Sequence, residues 1–173
     1  MRPHLTENEG MTVHLKGNLR NGSDSCHALK SGGCHLNADD EKILTKARFR
    51  ADHGGKKLCL VVLSVAELDL DQGGTLQEIY DRAKERCCSL CPHDVIPYLR
   101  LQHRNQPKGQ SRKIAMEPIK DEEDTQHIFH MGHDDEGLWL EAYPFRESSD
   151  LWRPQEKFFF VKEKEQATAY ATA

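Results

Sequence analysis

The pattern of apolar and polar residues first becomes regular near residue 40, where it predicts a helix. Apolar side chains recur there at intervals of about one helical turn, at Ile43, Leu44, Ala47 and Ala51. Asp39 or Asp40 can cap this helix, and Gly54-Gly55 can end it. The segment 58–63 that follows is short and apolar throughout, which predicts a strand covered on both faces.

A second helix begins at a strong N-terminal signal. Thr75 and Glu78 have the spacing of a capping box, in which each side chain satisfies a free backbone N–H of the first turn. The apolar positions that follow form one stripe at helical spacing, made by Leu76, Ile79, Tyr80, Ala83 and Cys87. We expect Pro92 to end this helix.

Beyond Pro92 the period shortens to two residues, which is typical of strands. Leu99 and Leu101 alternate with polar residues, as do Ile114 and Met116, and the loop between these pairs contains proline and glycine. A second hairpin is predicted over 127–131 and 138–142, and a last strand over 157–161. The sequence therefore predicts an α+β domain with an antiparallel sheet of five to six strands, packed by two helices.

Both ends of the chain lack such patterns. The first forty residues are rich in glycine, asparagine, serine, histidine and aspartate, and their apolar side chains are scattered. Such a segment buries too little apolar area to offset its conformational entropy. We therefore predict a flexible tail over residues 1–40, a single domain over 41–164 and a disordered C-terminus over 165–173.

Composition limits the classes of protein that this chain can belong to. The chain has 173 residues, enough for one domain with a core, and its formal net charge of -4 gives no general attraction to polyanions. We find no run near the roughly 18 apolar residues of a membrane helix and no export signal, so we expect a cytoplasmic protein without a membrane contact. In that compartment its cysteines should stay reduced, with Cys59 a buried thiol inside the first strand.

Charge is distributed unevenly along the predicted strands. No acidic residue occurs from Val95 to Met116, whereas eight acids and one lysine lie between Glu117 and Glu136. The predicted hairpin 97–119 is therefore a basic surface, and we expect it to contact a protein or a nucleic acid. Its candidate binding residues are Arg100, His103, Arg104, Lys108, Arg112 and Lys113. Mutual neutralisation of the basic and acidic loops is the alternative explanation.

Cysteines supply the candidates for a metal site. Cys88 and Cys91 have the spacing of a zinc knuckle, but Cys26 and Cys34 are too far apart in sequence to form its partner knuckle. The alternative is that the cysteines at the end of the second helix pack as small apolar residues. We predict no cofactor, and these four cysteines are the candidates if zinc is bound.

Histidines and glycines offer little further chemistry. His127, His130 and His133 lie close in sequence, but on a strand the first two point to opposite faces, so convergence on a metal requires a bulge. The chain contains no phosphate-binding loop, dinucleotide fingerprint, nucleophile elbow or zinc-protease motif. No pattern therefore identifies a catalytic residue.

Several segments from about residue 44 to 163 resemble a family of small bacterial proteins of unknown function. The resemblance is carried by LTKARFRADHGGK, GGTLQEIYDRAKE, LCPHDVIPYLRLQHRNQPKG and IAMEPI. It implies a self-contained domain and carries no activity with it. The function that we expect is a cytoplasmic, non-enzymatic binding or interaction module. The alternative is a small zinc-dependent enzyme or a zinc-stabilised nucleic-acid-binding domain.

Overall fold

The computed structural model describes residues 10–163, which form an α+β fold of four helices and one mixed, eight-stranded sheet. The helices are α1 (Gly22–Ser31), α2 (Ala38–Thr45), α3 (Leu76–Glu85) and α4 (Val95–Gln102). The strands are β1 (Gly10–His14), β2 (Lys57–Ser64), β3 (Cys88–Ser89), β4 (Ser111–Ile114), β5 (Ile119–Lys120), β6 (Gln126–Asp134), β7 (Gly137–Phe145) and β8 (Lys157–Lys162). None of the helices in this part of the chain has the length and apolar character needed to cross a membrane.

Strand β8 joins the two halves of the sheet. It pairs with β2 in antiparallel orientation and with β4 in parallel orientation, so the sheet is mixed rather than antiparallel as we predicted. The order of strands is β1-β2-β8-β4-β6-β5, with β3 also paired to β8 and β7 paired to β6 along its whole length. The core lies against this sheet and includes Phe129, Phe158 and Phe160, all fully buried.

Several predicted elements are present. The strand at 58–63, the hairpin made by β6 and β7, and the last strand β8 occur where the pattern places them. Thr75 and Glu78 form the predicted capping box at the start of α3. This helix ends at Glu85 rather than near Pro92, so Cys87 lies outside the helix, is exposed and has a left-handed backbone with φ of 58°. Cys59 is also exposed, contrary to our expectation.

The segment that we expected to be a flexible tail is folded from residue 10 onward. Strand β1 extends the sheet beside β2, and Asn21 and Asn37 cap α1 and α2 through their side chains. Val13 and Leu29 are fully buried, so apolar residues of this region contribute to the core. Residues 1–9 and the predicted C-terminal segment 165–173 lie outside the described residues.

The predicted strand at the start of the basic hairpin is instead helix α4. Every residue from 95 to 100 is buried, so this helix has no polar face and gives no helical period in the sequence. Pro97 is compatible with it, because the N–H groups of a first helical turn have no partner within the helix. The two alternations at Leu99 and Leu101 were too few to identify a strand.

Candidate functional site

Arg100, predicted as a surface contact, lies at the centre of the fold. Its side chain is 1 % exposed and donates hydrogen bonds from Nη1 to Gln106 Oε1 at 2.7 Å and Gly132 O at 3.1 Å. It also donates to Trp139 O at 3.3 Å and, from Nη2, to His103 O at 2.6 Å. Burial lowers the pKa of Arg100 to about 10, so the guanidinium is charged at neutral pH. This residue connects α4 and its following loop to β6 and β7.

Two further predicted contact residues are also buried. Arg112 and Lys113 lie on β4 and are 9 % and 8 % exposed. Lys113 Nζ is 3.3 Å from Glu156 Oε1 and 5.6 Å from the ring centres of Tyr143 and Trp152. An ammonium in this position gains from both the carboxylate and the aromatic faces. The charge of Lys113 therefore interacts with groups inside the fold.

The remaining predicted contact residues lie in the loop between α4 and β4. Arg104 and Lys108 are exposed; Arg104 donates a hydrogen bond to Gly32 O at 2.8 Å, and Lys108 Nζ is 3.8 Å from Asp135 Oδ1. The ring of His103 packs edge-on against Phe159. The six residues therefore share no common surface, because a helix and a strand direct half of them into the core.

The cysteines predicted as candidates for zinc are divided between different elements of the fold. Cys26 and Cys34 belong to the region of α1, whereas Cys88 lies on β3 and Cys91 donates a weak hydrogen bond to Phe159 O. Burial raises the pKa of all four thiols, that of Cys34 to about 11. No group of three histidine, cysteine or acidic side chains among residues 10–163 can hold a metal ion.

The three histidines of the second hairpin have separate environments. His127 Nδ1 is 3.1 Å from Thr125 O, and His133 Nδ1 is 2.6 Å from Gln106 O. His130 packs between the rings of Trp139 and Tyr143, and burial together with the nearby charge of Lys113 lowers its pKa to about 4. Within the described part of the chain, these histidines do not belong to any group that could hold a metal ion.

A different pair, His93 and Asp94, organises the loop after α2. His93 Nδ1 accepts the backbone N–H of Arg48 at 2.9 Å, and its Nε2–H donates to Glu117 O at 2.8 Å. Asp94 Oδ2 accepts the backbone N–H of Arg50 at 3.1 Å. Asp94 precedes α4 with helical backbone angles (φ -54°, ψ -31°), so it lacks the extended geometry of a capping residue, and its side chain makes no capping hydrogen bond to that helix. The carboxylate is therefore directed toward the loop instead of stabilising the helix end.

These anchors shape a cavity of about 390 Å³, which we call the Asp94 cleft. Its apolar wall is formed by Leu15, Leu19, Phe49 and Tyr98. Its charged and polar side chains are Arg20, Arg50, His53 and Asp94. The hydroxyl of Tyr98 holds the opposite loop, because it accepts the N–H of Leu19 at 2.8 Å and donates to Asn18 Oδ1 at 3.0 Å.

The charged groups of the Asp94 cleft differ in burial. The side chains of Asp94 and His53 are 7 % and 15 % exposed, whereas that of Arg50 is 66 % exposed. His53 Nδ1 lies 3.2 Å from Asp94 Oδ1, but neither atom makes a well-aligned hydrogen bond to any described residue. Buried polar atoms are nearly always satisfied, so an enclosed pair without such bonds in the lining of a cavity makes this cleft the candidate ligand site.

A larger cavity, which we call the α3 groove, differs in this respect. It encloses about 720 Å³ between α3, β3 and β5, and its charged residues are Asp81, Lys84, Glu117, Lys120, Glu147 and Glu163. The hydroxyl of Tyr80 beside it both donates to Met116 O and accepts from Met116 N. Among residues 10–163, none of the buried side-chain atoms without a hydrogen bond lines this groove. It therefore offers less for a specific ligand.

Sequence reasoning missed the Asp94 cleft because its residues come from three separate segments. The one local signal was Asp94 before the apolar run 95–99, which a helix cap also explains. No protein-family model, curated protein or solved structure matches the chain. The resemblance to a family of small bacterial proteins stays a prediction.

Proposed function

We propose that this chain is a non-enzymatic binding module that holds a small ligand in the Asp94 cleft. The observation that carries the proposal is the position of Asp94 Oδ1 and His53 Nδ1, which are buried, 3.2 Å apart and without well-aligned hydrogen bonds. A volume of about 390 Å³ with one apolar wall and a few convergent polar groups suits a small molecule.

The use of Asp94 supports a role beyond folding. An aspartate at an N-cap position ordinarily stabilises its helix by about 1 kcal/mol through a side-chain hydrogen bond. Asp94 makes no such bond and instead holds the Arg50 N–H and faces His53. Its helical backbone (φ -54°, ψ -31°) excludes capping, so the carboxylate is available to line the Asp94 cleft.

A binding role fits the rest of the molecule better than the contact surface predicted from sequence. A protein or nucleic-acid contact through residues 97–119 would depend on Arg104 and Lys108, the two exposed cations of that set. Both already have polar or acidic neighbours, Gly32 O and Asp135. We keep this contact as a secondary role of the module, expected to weaken with salt.

The second candidate function is that of an enzyme using acid–base chemistry. It is favoured by the His53–Asp94 pair, since a carboxylate beside an imidazole nitrogen can fix the ring for proton transfer at the other nitrogen. A zinc-dependent reaction draws no support from residues 10–163, where no three suitable ligands converge. Chemical conversion of a bound compound at a rate reduced by His53→Gln would favour the enzyme over the binding module.

We place the module in the cytoplasm. All six cysteines are free thiols, including Cys87 and Cys88, which are adjacent in sequence. Proteins of oxidising compartments seldom keep so many thiols unpaired.

A fragment screen by two-dimensional amide NMR tests the proposal. We expect binders to shift the amide signals of Leu19, Arg50 and Gly54, and the variant Arg20→Met to reduce the shifts. Arg82→Met, an exposed arginine of α3 outside the Asp94 cleft, is the matched control and should leave them unchanged. Shifts confined to the α3 groove, or no binder at all, would contradict the proposed function.

A further inference from the structure

We propose, on the basis of the proposed function, that the ligand of the Asp94 cleft is a small zwitterion, an α-amino acid with an apolar side chain. Its ammonium group would bind Asp94, its carboxylate would face Arg20 and Arg50, and its side chain would lie against the apolar wall. Three independent features of the cleft carry this assignment.

The first feature is the buried carboxylate. Asp94 is 7 % exposed, and its Oδ2 is occupied by the Arg50 N–H. Its Oδ1 is enclosed beside His53 Nδ1, 3.2 Å away and out of line for a hydrogen bond, so the ammonium would reach this oxygen by displacing the His53 ring. A buried carboxylate requires both a compensating charge and aligned donors. An ammonium group supplies both, because it carries a positive charge and three N–H donors.

The second feature is the pair of arginines in the lining. Arg20 is exposed, and Arg50 is held only by a surface ion pair, in which its Nε is 3.4 Å from Asp52 Oδ1. Such exposed pairs are weak, so the guanidinium of Arg50 can turn to another anion at little cost. Guanidinium groups bind carboxylates with two parallel hydrogen bonds. Negative charge on the ligand therefore belongs at the arginines, and positive charge at Asp94.

The third feature is the size and character of the remaining wall. Leu15 and Leu19 are 1 % and 8 % exposed, and Phe49 is half-buried beside them. An apolar side chain of the ligand would remove water chiefly from the exposed part of Phe49, at about 25 cal/mol per Å² buried. The cavity of about 390 Å³ lies near the lower end of ligand sites, so a single amino acid fits it better than a nucleotide.

Titration calorimetry with chosen analogues tests the assignment on the wild-type protein. We expect L-leucine to bind, and N-acetyl-leucine, which lacks the ammonium, and leucinamide, which lacks the carboxylate, each to bind at least tenfold more weakly. Glycine should also bind more weakly, because it has no apolar side chain. Equal binding of leucine and N-acetyl-leucine would overturn the proposal, as would binding of acetate or inorganic phosphate in preference to leucine.

Variants then locate the interaction. Asp94→Asn keeps the size of the side chain and an acceptor for the Arg50 N–H. We expect this variant to bind leucine at least tenfold more weakly than the wild type. Arg20→Met should also weaken the binding of leucine, whereas Arg82→Met should leave that binding unchanged. Fragments that bind in the Asp94 cleft without this charge pattern would contradict the assignment of a zwitterionic ligand and leave the proposed function intact. Absence of any ligand from the cleft would overturn both.

Discussion

The carboxylate of Asp94 lies 3.2 Å from Nδ1 of His53, beside the Asp94 cleft and at the start of helix α4. The same carboxylate accepts the backbone N–H of Arg50. One residue therefore positions the loop that carries His53 and also lines the cavity, with its Oδ1 enclosed beside His53 and incompletely bonded. This double use is the basis of the proposed ligand site.

The loop function of Asp94 predicts a difference between two substitutions. Asp94→Ala removes the acceptor of the Arg50 N–H, so we expect faster hydrogen exchange at the Arg50 amide and a loss of about 1–3 kcal/mol in the free energy of unfolding. Asp94→Asn retains an acceptor oxygen and should preserve slow exchange at that amide. Equal exchange rates in the two variants would contradict this role of the carboxylate.

Arg100 and Arg104 are a matched pair for testing the structural role of the basic segment. Arg100→Met leaves several buried acceptors without a donor, so we expect the free energy of unfolding to fall by about 3 kcal/mol or more. Arg104→Met removes one exposed hydrogen bond and should cost less than about 1 kcal/mol. Urea unfolding measures both, and a similar loss in the two variants would refute the central position of Arg100.

The sequence predicted those elements whose signals are local. A capping box at Thr75 and period-two alternation in β6 and β7 depend only on neighbouring residues, and both are present. Helix α4 was missed because its burial on all sides removes the polar face that identifies a helix. The folding of residues 10–40 was missed because the contribution of Leu15 or Leu29 depends on distant partners. The Asp94 cleft is invisible in sequence for the same reason.

The buried side chain of His130 makes the free energy of unfolding depend on pH. Its pKa is lowered to about 4, by burial and then by Lys113, whereas an unfolded histidine has a pKa of about 6.5. Between these values the unfolded state binds more protons at this residue, so stability is full above pH 6.5 and falls as pH decreases toward 4. The slope approaches about 1.4 kcal/mol per pH unit.

The variant His130→Gln tests this dependence. Between pH 7 and pH 4.5, we expect the free energy of unfolding to fall by about 2 kcal/mol less in this variant than in the wild type. His27→Gln, a substitution of an exposed histidine on α1, should follow the wild type. If His130→Gln loses as much stability in acid as the wild type, the burial of His130 does not control the acid response.

Thiol accessibility tests the packing of β3 and β8. Cys59 and Cys87 are exposed, whereas the other four thiols are buried and have raised pKa values that disfavour the reactive thiolate. We expect two thiols to react quickly with Ellman's reagent in the native protein and the rest only after unfolding in urea. A third fast thiol that disappears in Cys91→Ser would contradict the burial of Cys91 against Phe159.

The most direct test of the proposed function is the position of a bound small molecule. Intermolecular nuclear Overhauser effects can be measured between bound L-leucine, or a fragment found by screening, and the methyl groups of the protein. We expect contacts to Leu15 and Leu19, which line the Asp94 cleft. Contacts to Leu76 and Leu90, which line the α3 groove, would contradict it.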